Sequence, residues 1–335
     1  MSGPADESAI MVLRRLVAAS LLTFGLCLGR GSASAQVYPD RLIKVIVPFV
    51  PGSPVDAAAR VITQYIQTRL GQNMVIENKP GGGTTIGLKA VMAAPADGYT
   101  LLFIGPNLVY TPVLYPSMNF DPFKSLAPVA SVVSYSHVMV VAPAVPARTV
   151  RELVAHIKAN PGKVTFGYGL ATTPHILSET FRQVTGADFA GIPYRGGEQA
   201  RADLLGGRID INMAPIANLL ALVQDGRARP LAFTGPKRSP DLPDVPTMTE
   251  SGFPEVGYNP DVWLGFLAPI GTPDAVVRRI NAAVAEALAS AEMKAALSKL
   301  GFDPMATTPE QFGAFIGNEL RKWPPLLHAA GLKAE

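Results

Sequence analysis

The chain has 335 residues, of which 48% are hydrophobic and 16% charged, and its formal net charge is +3. This composition is typical of a globular protein large enough for two domains, and the small net charge excludes the basic footprint of a nucleic-acid-binding protein. The 31 glycines and 31 prolines stand singly between periodic segments, so they indicate many turns and not a disordered chain.

The N-terminus has the organisation of a cleavable secretory signal. Arg14 and Arg15 precede an apolar stretch, residues 16–29, that is too short to span a membrane. Residues 33–35, Ala-Ser-Ala, then form an A-x-A cleavage site. The single cysteine, Cys27, lies inside the apolar stretch, so we expect a mature chain without disulfides, thiol nucleophiles or thiolate metal sites.

The first predicted unit after this signal is a strand, a turn and a helix. Ile43–Val47 is a continuous apolar, β-branched run that suits a strand buried on both faces. Apolar residues then recur at helical spacing from Val55 to Leu70, with Ser53 as the predicted N-cap. Free N–H groups and the positive end of a helix dipole would make the turn suit a carboxylate, although an ordinary βα connection has the same sequence features.

Strands and helices alternate along the rest of the chain. The predicted strands are 74–77, 100–104, 137–141, 164–166, 209–213 and 231–234. The predicted helices are 86–94, one from Val150, 174–184, 198–205, 217–224, one from Thr272-Pro273 to about residue 291, and one after Thr308. The segment 237–259, rich in Pro and Gly, is predicted to be mostly loop. This alternation indicates an α/β protein with parallel or mixed sheets.

A second turn resembles the first. Residues 167–173 form a predicted Gly/Thr-rich loop after a strand, and Thr173 is the expected cap of the helix behind it. Two such turns facing each other would hold a dianion better than one. Residues 191–197 are predicted as a further turn. Tyr168 and Tyr194 are candidates for pocket walls, because neighbouring glycines are expected to expose them.

The sequence carries no motif of a catalytic or metal centre. The four histidines lack metal-type spacing, and there is no HExxH, EF-hand loop, P-loop or G-x-S-x-G elbow, so no cofactor is predicted. His175 is a candidate ligand contact, or else a residue that hydrogen-bonds the local backbone. Asp56 and Arg60 stand four residues apart and predict a helical ion pair. Trp263 is expected in the core.

Several segments in collinear order resemble one family. They are YPDRLIKVIVPFVPGSPVDAAAR, LGQNMVIENKPGGG, DGYTLLF, PGKVTFGYGLATTPHILSE, IPYRGG, LPDVPTMTESG and WLGFLAPIGTP. Spread over residues 38–332, they resemble the extracytoplasmic solute receptors of tripartite tricarboxylate transporters, the Bug-type receptors. The resemblance implies a type II-like periplasmic binding protein of α/β fold. Each of its two domains would be a mixed sheet flanked by helices, with the ligand cleft between them.

The resemblance also implies domain limits and partners. We place a signal peptide at residues 1–35, the first domain at 36–135 plus 261–335, and the second at 136–260. A receptor of this kind would be a periplasmic monomer that binds a small carboxylate and works with membrane subunits of a tripartite transporter. No nucleic-acid partner is expected.

In the family, the ligand lies between the turn that is 52–56 here and the loop that is 167–173 here. The candidate ligand contacts are Phe49, Gly52, Ser53, Val55, Asp56, Pro106, Asn107, Tyr168, Ala171, Thr172, Thr173, His175, Tyr194 and Ala214. The chain departs from the family pattern where Ala214 and Pro215 replace a common Asp-Asn pair. The loss of that acidic group disfavours an amino-acid ligand and favours an aromatic or branched, apolar carboxylate.

Two other functions fit the sequence. One is a ligand-sensing partner of a sensor kinase that uses the same cleft. The other is a secreted α/β hydrolase with a Ser/Thr–His pair near Thr172 and His175, although no motif supports it. We expect a binding protein and not an enzyme.

Overall fold

The computed structural model describes residues 38–170, 172–257 and 262–329. Its six-stranded sheet contains β1 (Ile43–Val47), β2 (Met74–Asn78), β3 (Thr100–Ile104), β4 (Leu126–Tyr135), β10 (Val262–Pro269) and β11 (Asp303–Pro304), in the order β11-β4-β10-β3-β1-β2. Its five-stranded sheet contains β5 (His137–Val141), β6 (Thr165–Gly169), β7 (Ala190–Tyr194), β8 (Ile211–Pro215) and β9 (Arg229–Phe233), in the order β7-β6-β8-β5-β9. The signal-peptide prediction falls outside the described residues.

Helices flank both sheets. They are α1 (Pro54–Leu70), α2 (Thr85–Met92), α3 (Asn107–Leu114), α4 (Pro122–Ser125), α5 (Val150–Ala159), α6 (Thr173–Thr185), α7 (Gly197–Leu205), α8 (Ile216–Gln224), α9 (Asp274–Ala289), α10 (Ala291–Ser298) and α11 (Pro309–Ala329). Single 3₁₀ turns lie at Gly82–Thr84, Pro116–Met118 and Pro254–Val256. None of the helices in the described ranges has both the length and the apolar character that a membrane span requires.

Each sheet is mixed in the same way. In the six-stranded sheet β1 pairs in parallel with β2 and β3, whereas β10 runs antiparallel between β3 and β4. In the five-stranded sheet β6 pairs in parallel with β7 and β8, whereas β5 runs antiparallel between β8 and β9. The predicted α/β class with two mixed sheets is confirmed. Loops that follow parallel strands meet at one sheet edge, which is where α/β sheets bind ligands.

The first βα unit forms as predicted. All of the apolar positions predicted to face inward on α1 are buried, namely Val55, Ala58, Ala59, Ile62, Ile66 and Leu70. The Ser53 hydroxyl oxygen accepts the Asp56 N–H at 3.2 Å as an N-cap, and Gly71 ends the helix at φ +71°. Thr149 caps α5 in the same way, with the Glu152 N–H donating to Thr149 Oγ1 at 3.2 Å.

The predicted loop at 167–173 is wrong over its first half, because β6 continues to Gly169. A β-carbon on Gly167 would lie 3.5 Å from the Ala200 side chain of α7, whereas the Tyr168 hydroxyl lies over Gly191. Aromatic and glycine residues therefore alternate between the two faces of the strand, which is the period of a strand and not of a loop. The cap of α6 is Thr172 and not Thr173.

Other elements also differ from the prediction. The turn predicted at 191–197 is β7 followed by the first turn of α7. The strand β4 and the helix α3 were not predicted. The long helix predicted after Thr272-Pro273 has Pro273 as its cap, and it is interrupted at Ser290, whose hydroxyl oxygen caps α10 by accepting the Met293 N–H at 3.2 Å.

Each sheet has its own hydrophobic core. In this article the first domain is the six-stranded sheet with the helices packed on it, and the second domain is the five-stranded sheet with its helices. Trp263 is fully buried in the first core, as predicted, and Phe166 is fully buried in the second. The chain passes between the sheets after Tyr135 and again before Val262. We propose that the domain boundaries follow these passages, at 135/136 and 260/261.

Candidate functional site

The β1–α1 turn lies at the carboxyl edge of the first sheet. Four N–H groups of the segment 52–57 already donate within the turn, those of Gly52, Ser53, Asp56 and Ala57. Pro54 has no N–H, so Val55 carries the one N–H of this segment for which the described residues provide no acceptor. The turn thus offers an anion fewer backbone N–H donors than the sequence suggested. The remaining donor, the Val55 N–H, lies at the positive end of the α1 dipole.

The Asp56 carboxylate is buried at the base of this turn, at 2% exposure. Its oxygens accept hydrogen bonds from Arg60, the Gly52 N–H and the side chain of Asn78. Burial raises the pKa of Asp56, but the hydrogen bonds from Arg60, Gly52 and Asn78 outweigh it and hold that pKa below its ordinary value. The predicted ion pair with Arg60 is confirmed at 2.8 Å.

The β6–α6 turn has a comparable arrangement in the second domain. The Leu170 N–H donates to Tyr194 O at 2.9 Å, and the Thr172 hydroxyl donates to Gly169 O at 2.7 Å. Thr173, at the first position of α6, carries an N–H for which the described residues provide no acceptor. Ala171, the remaining candidate of this turn, lies outside the described residues. Each of these two turns therefore presents an N–H at a helix N-terminus for which the described residues provide no acceptor.

A hydrogen bond connects helix α3, near the β1–α1 turn, with the start of α6 at the β6–α6 turn. Helix α3 starts just after β3, at the same sheet edge as the β1–α1 turn, and its Tyr110 hydroxyl lies 3.3 Å from Thr173 Oγ1. One turn further along α6, Ile176 is fully buried in the hydrophobic core of the first domain. The start of α6 is therefore in contact with the elements at the carboxyl edge of the first sheet.

Tyr168 and His175 form a stacked pair beneath the second turn. Their ring centroids are 4.2 Å apart with 15° between the planes, and the side chains are 7% and 9% exposed. Burial lowers the pKa of His175, and the nearby Glu179 opposes this only in part. The prediction that glycine neighbours expose Tyr168 is wrong, because the glycines lie on the opposite face of the strand.

Tyr194 is directed toward α7. Its hydroxyl donates to Asp203 Oδ2 at 2.8 Å, and its ring lies 3.1 Å from where a β-carbon on Gly167 would be. Burial, reinforced by the hydrogen bond to Asp203, raises the pKa of Tyr194 to about 12. Tyr194 thus supports the second turn from the α7 side of the sheet.

The other candidates lie at strand ends. Phe49 is half-buried against the first core, and Pro106 and Asn107 lie at the end of β3 where α3 begins. Ala214 is buried near the end of β8, next to β6 in the sheet. Sequence reasoning missed Asn78, assigned to a loop, and Tyr110, in a helix that was not predicted. The apolar run after Pro106 could have indicated that helix.

Two hydroxyls that flank His175 in the chain donate to backbone carbonyl oxygens. The Thr172 hydroxyl donates to Gly169 O, and the Ser178 hydroxyl donates to the backbone carbonyl of His175 at 2.7 Å. Neither hydroxyl is directed at the imidazole as a nucleophile would be. Within the described ranges, no group of three or more His, Cys, Asp or Glu side chains is arranged to hold a metal ion.

Comparisons with known proteins identify the family and agree with the fold. The family described as "Tripartite tricarboxylate transporter family receptor" matches residues 58–332. Protein BugT of Bordetella pertussis is 36% identical over 303 residues, which cover 90% of this chain and 92% of BugT. The structure of the periplasmic binding protein BugD is similar at a TM-score of 0.79 and 30% identity, covering 89% of this chain and 100% of that chain. An R. palustris protein solved with adipate is similar at a TM-score of 0.80 and 30% identity, covering 88% and 98%.

Proposed function

Because the chain belongs to the receptor family of tripartite tricarboxylate transporters, we propose that it captures a small carboxylate between its domains and delivers it to the membrane subunits of such a transporter. Membership of the family confirms the resemblance seen in the sequence. Members of this family are periplasmic solute-binding proteins, so the chain is a binding protein and not an enzyme.

The observation that carries the proposal is the pair of helix N-termini, one from each domain. Val55 at the start of α1 and Thr173 at the start of α6 each hold an N–H that has no acceptor among the described residues. N–H groups at the positive end of a helix dipole favour a carboxylate without a charged side chain. None of the candidate contacts is Lys or Arg, so the ligand's charge is met by backbone dipoles.

The body of the ligand is apolar in this proposal. A free ammonium group would need an acceptor, but Asp56 already accepts from Arg60, Gly52 and Asn78. Ala214 and Pro215, at the end of β8, provide no carboxylate either. Adipate, which the R. palustris relative binds, joins its carboxylates through methylene groups. We expect a carboxylate with an aliphatic or aromatic body and no amino group.

The first test is a ligand screen on the mature protein. Mass spectrometry of ligand that co-purifies is followed by calorimetry with adipate, benzoate, a branched monocarboxylate, aspartate and glutamate. We expect saturable binding of at least one of the three carboxylates without an amino group. Binding of the amino acids alone would contradict the apolar ligand class, and binding of no carboxylate would contradict the function itself.

The second test places a negative charge where the ligand carboxylate would lie. Ser53→Asp and Thr172→Asp keep residues that favour an N-cap, so α1 and α6 are expected to stay folded. Like-charge repulsion at about 4 Å should weaken carboxylate binding on the order of 100-fold.

Two controls accompany these variants. Ser53→Asn and Thr172→Asn have nearly the same shape without the charge and should bind more tightly than the aspartates. Thr149→Asp adds the same charge to the N-cap of α5, away from the cleft, and should leave the affinity unchanged. Equal affinity in all of these variants would contradict a carboxylate between the two turns.

The role in uptake is tested in cells. Deletion of the gene should abolish uptake of the identified carboxylate, and the wild-type gene should restore it. Uptake that persists while ligand-dependent gene expression is lost would instead support a sensor-kinase partner.

A further inference from the structure

The segment 49–52, here called the ligand loop, connects β1 to the cap of α1 and is held from below by polar side chains. Asp56 on α1 and Asn78 at the end of β2 reach it from two different elements. We propose that Asp56 and Asn78 are positioning residues that set the ligand loop for capture of the carboxylate, and that Asp56 does not itself contact the ligand. This inference rests on the proposed function.

The Asp56 carboxylate has no acceptor capacity left for a ligand. Its Oδ2 accepts from the Gly52 N–H at 2.9 Å and from Arg60 Nε at 2.8 Å. Its Oδ1 accepts from Asn78 Nδ2 at 2.9 Å and from Arg60 Nη2 at 3.1 Å. A carboxylate has about four lone-pair sites, and four donors occupy them. At 2% exposure the group also lies below the surface that a ligand would meet.

The same groups hold both ends of the ligand loop. Asn78 Nδ2 donates to the Phe49 carbonyl oxygen at 3.0 Å as well as to Asp56, while Asp56 holds the N–H of Gly52 at the other end. Gly52 has a φ of +81°, a conformation that glycine adopts without strain. The loop is therefore fixed before any ligand arrives, which reduces the ordering that binding must impose.

Arg60 has a supporting role. It donates to Asp56 and, at 3.2 Å, to Asn78 Oδ1, so it bridges the two positioning residues from the solvent side. Its side chain is 55% exposed, and an ion pair that solvent reaches contributes little. The hydrogen bonds of Asp56 and Asn78 to the ligand loop thus contribute more to fixing its conformation than the Arg60–Asp56 ion pair does.

The test removes the two groups singly and together. Asp56→Asn and Asn78→Ala each release one end of the ligand loop and should weaken carboxylate binding about tenfold or more. Because both residues act through the same loop, removing the second group from a loop that is already released should cost less. The double variant should therefore bind more tightly than the product of the two single effects predicts.

The control is Glu152→Gln in α5. Glu152 Oε2 accepts the N–H of Arg148, four residues earlier, in the same way that Asp56 accepts the N–H of Gly52, but away from the cleft. Its affinity should equal that of the wild type. Hydrogen exchange of 49–55 in the ligand-free protein should be faster in Asp56→Asn and in Asn78→Ala than in the wild type.

The outcomes separate the inference from the proposed function. A wild-type protein that binds no carboxylate contradicts the function. A wild type that binds, together with an Asp56→Asn variant of equal affinity, overturns the positioning role. Single effects that multiply in the double variant, with hydrogen exchange of 49–55 as in the wild type, also overturn it, because two residues that contact the ligand independently would behave in this way.

Discussion

His175 is a buried histidine in the first turn of helix α6. It stacks on Tyr168, and burial lowers its pKa, with Glu179 partly opposing this effect. The imidazole is therefore neutral at pH 7 and acts as a flat, weakly polar surface beneath the second turn. A neutral ring offers no positive charge to the carboxylate of the proposed ligand, so backbone dipoles would stabilise that carboxylate. This agrees with the absence of Lys and Arg among the candidate contacts.

This burial predicts acid sensitivity. Above about pH 6.5 both the folded and the unfolded chain hold the neutral imidazole, so His175 does not lower the free energy of unfolding there. As the pH falls below that value, the unfolded chain takes up a proton more readily than the folded one, and the free energy of unfolding decreases. Urea unfolding at pH 7.5 and 5.5 measures the decrease.

His175→Phe removes the titrating group and keeps a ring against Tyr168, so the acid-dependent decrease should become smaller. His328→Gln removes an exposed histidine and should leave the decrease as in the wild type. Equal decreases in His175→Phe and the wild type would show that burial of His175 has no part in the pH dependence.

At the scale of elements, the pairing of β6 with β7 depends on where glycine falls. A β-carbon on Gly191 would lie 2.5 Å from the Tyr168 hydroxyl, which is closer than real contacts allow. Gly191 is thus the position on β7 that accommodates the Tyr168 ring, and with it the stack on His175.

Gly191→Ala should destabilise the protein by about 1–3 kcal/mol, since the buried ring has to shift. It should also alter the near-ultraviolet circular dichroism of Tyr168. Gly197→Ala, at the first position of α7, is the matched control, because no atom lies within 4 Å of its added β-carbon. Its stability should remain within about 0.5 kcal/mol of the wild type. Equal stability of the two variants would contradict the close approach.

The elements that could be predicted from sequence are those with local determinants. The strand β1, the cap Ser53 and the apolar face of α1 all follow from residues that are near one another in the chain. By contrast, the sequences of β6 and β7 resemble loops because they contain glycines. These glycines leave space for tertiary neighbours, namely α7 and the Tyr168 ring. Similarly, α3 contains Pro112, which obscures its helical pattern.

At the scale of the whole molecule, α6 links the two domains. Ile176 is buried in the core of the first domain, whereas its neighbour Leu177 is buried in the core of the second. Thr173 of the same helix meets Tyr110 of the first domain at 3.3 Å. We propose that α6, which packs into both cores, couples capture of the ligand to the arrangement of the two domains.

This coupling predicts different effects for two adjacent residues. Ile176→Ala and Leu177→Ala should each reduce stability by about 2–5 kcal/mol, because each leaves a cavity in a core. Only Ile176→Ala should also weaken carboxylate binding and increase the radius of gyration of the ligand-saturated protein in small-angle scattering. Equal affinity and equal radius in the two variants would contradict the link.

Prediction of the site from sequence was limited by distance along the chain. The two turns were found because each is a local strand–turn–helix pattern with small residues. The contact between Tyr110 and Thr173 joins residues 63 apart, and nothing local indicates it. The hydrogen bond that occupies the Gly52 N–H could not be predicted either, since it depends on the position of the Asp56 carboxylate.

The most direct test is a crystal structure of the mature protein with the carboxylate identified by mass spectrometry. We predict a carboxylate oxygen within hydrogen-bonding distance of the Val55 and Thr173 N–H groups, and Asp56 still bonded to Gly52 and Asn78. A ligand bound elsewhere, or one in the cleft without contact to residues 52–57, would contradict the proposed mode of capture.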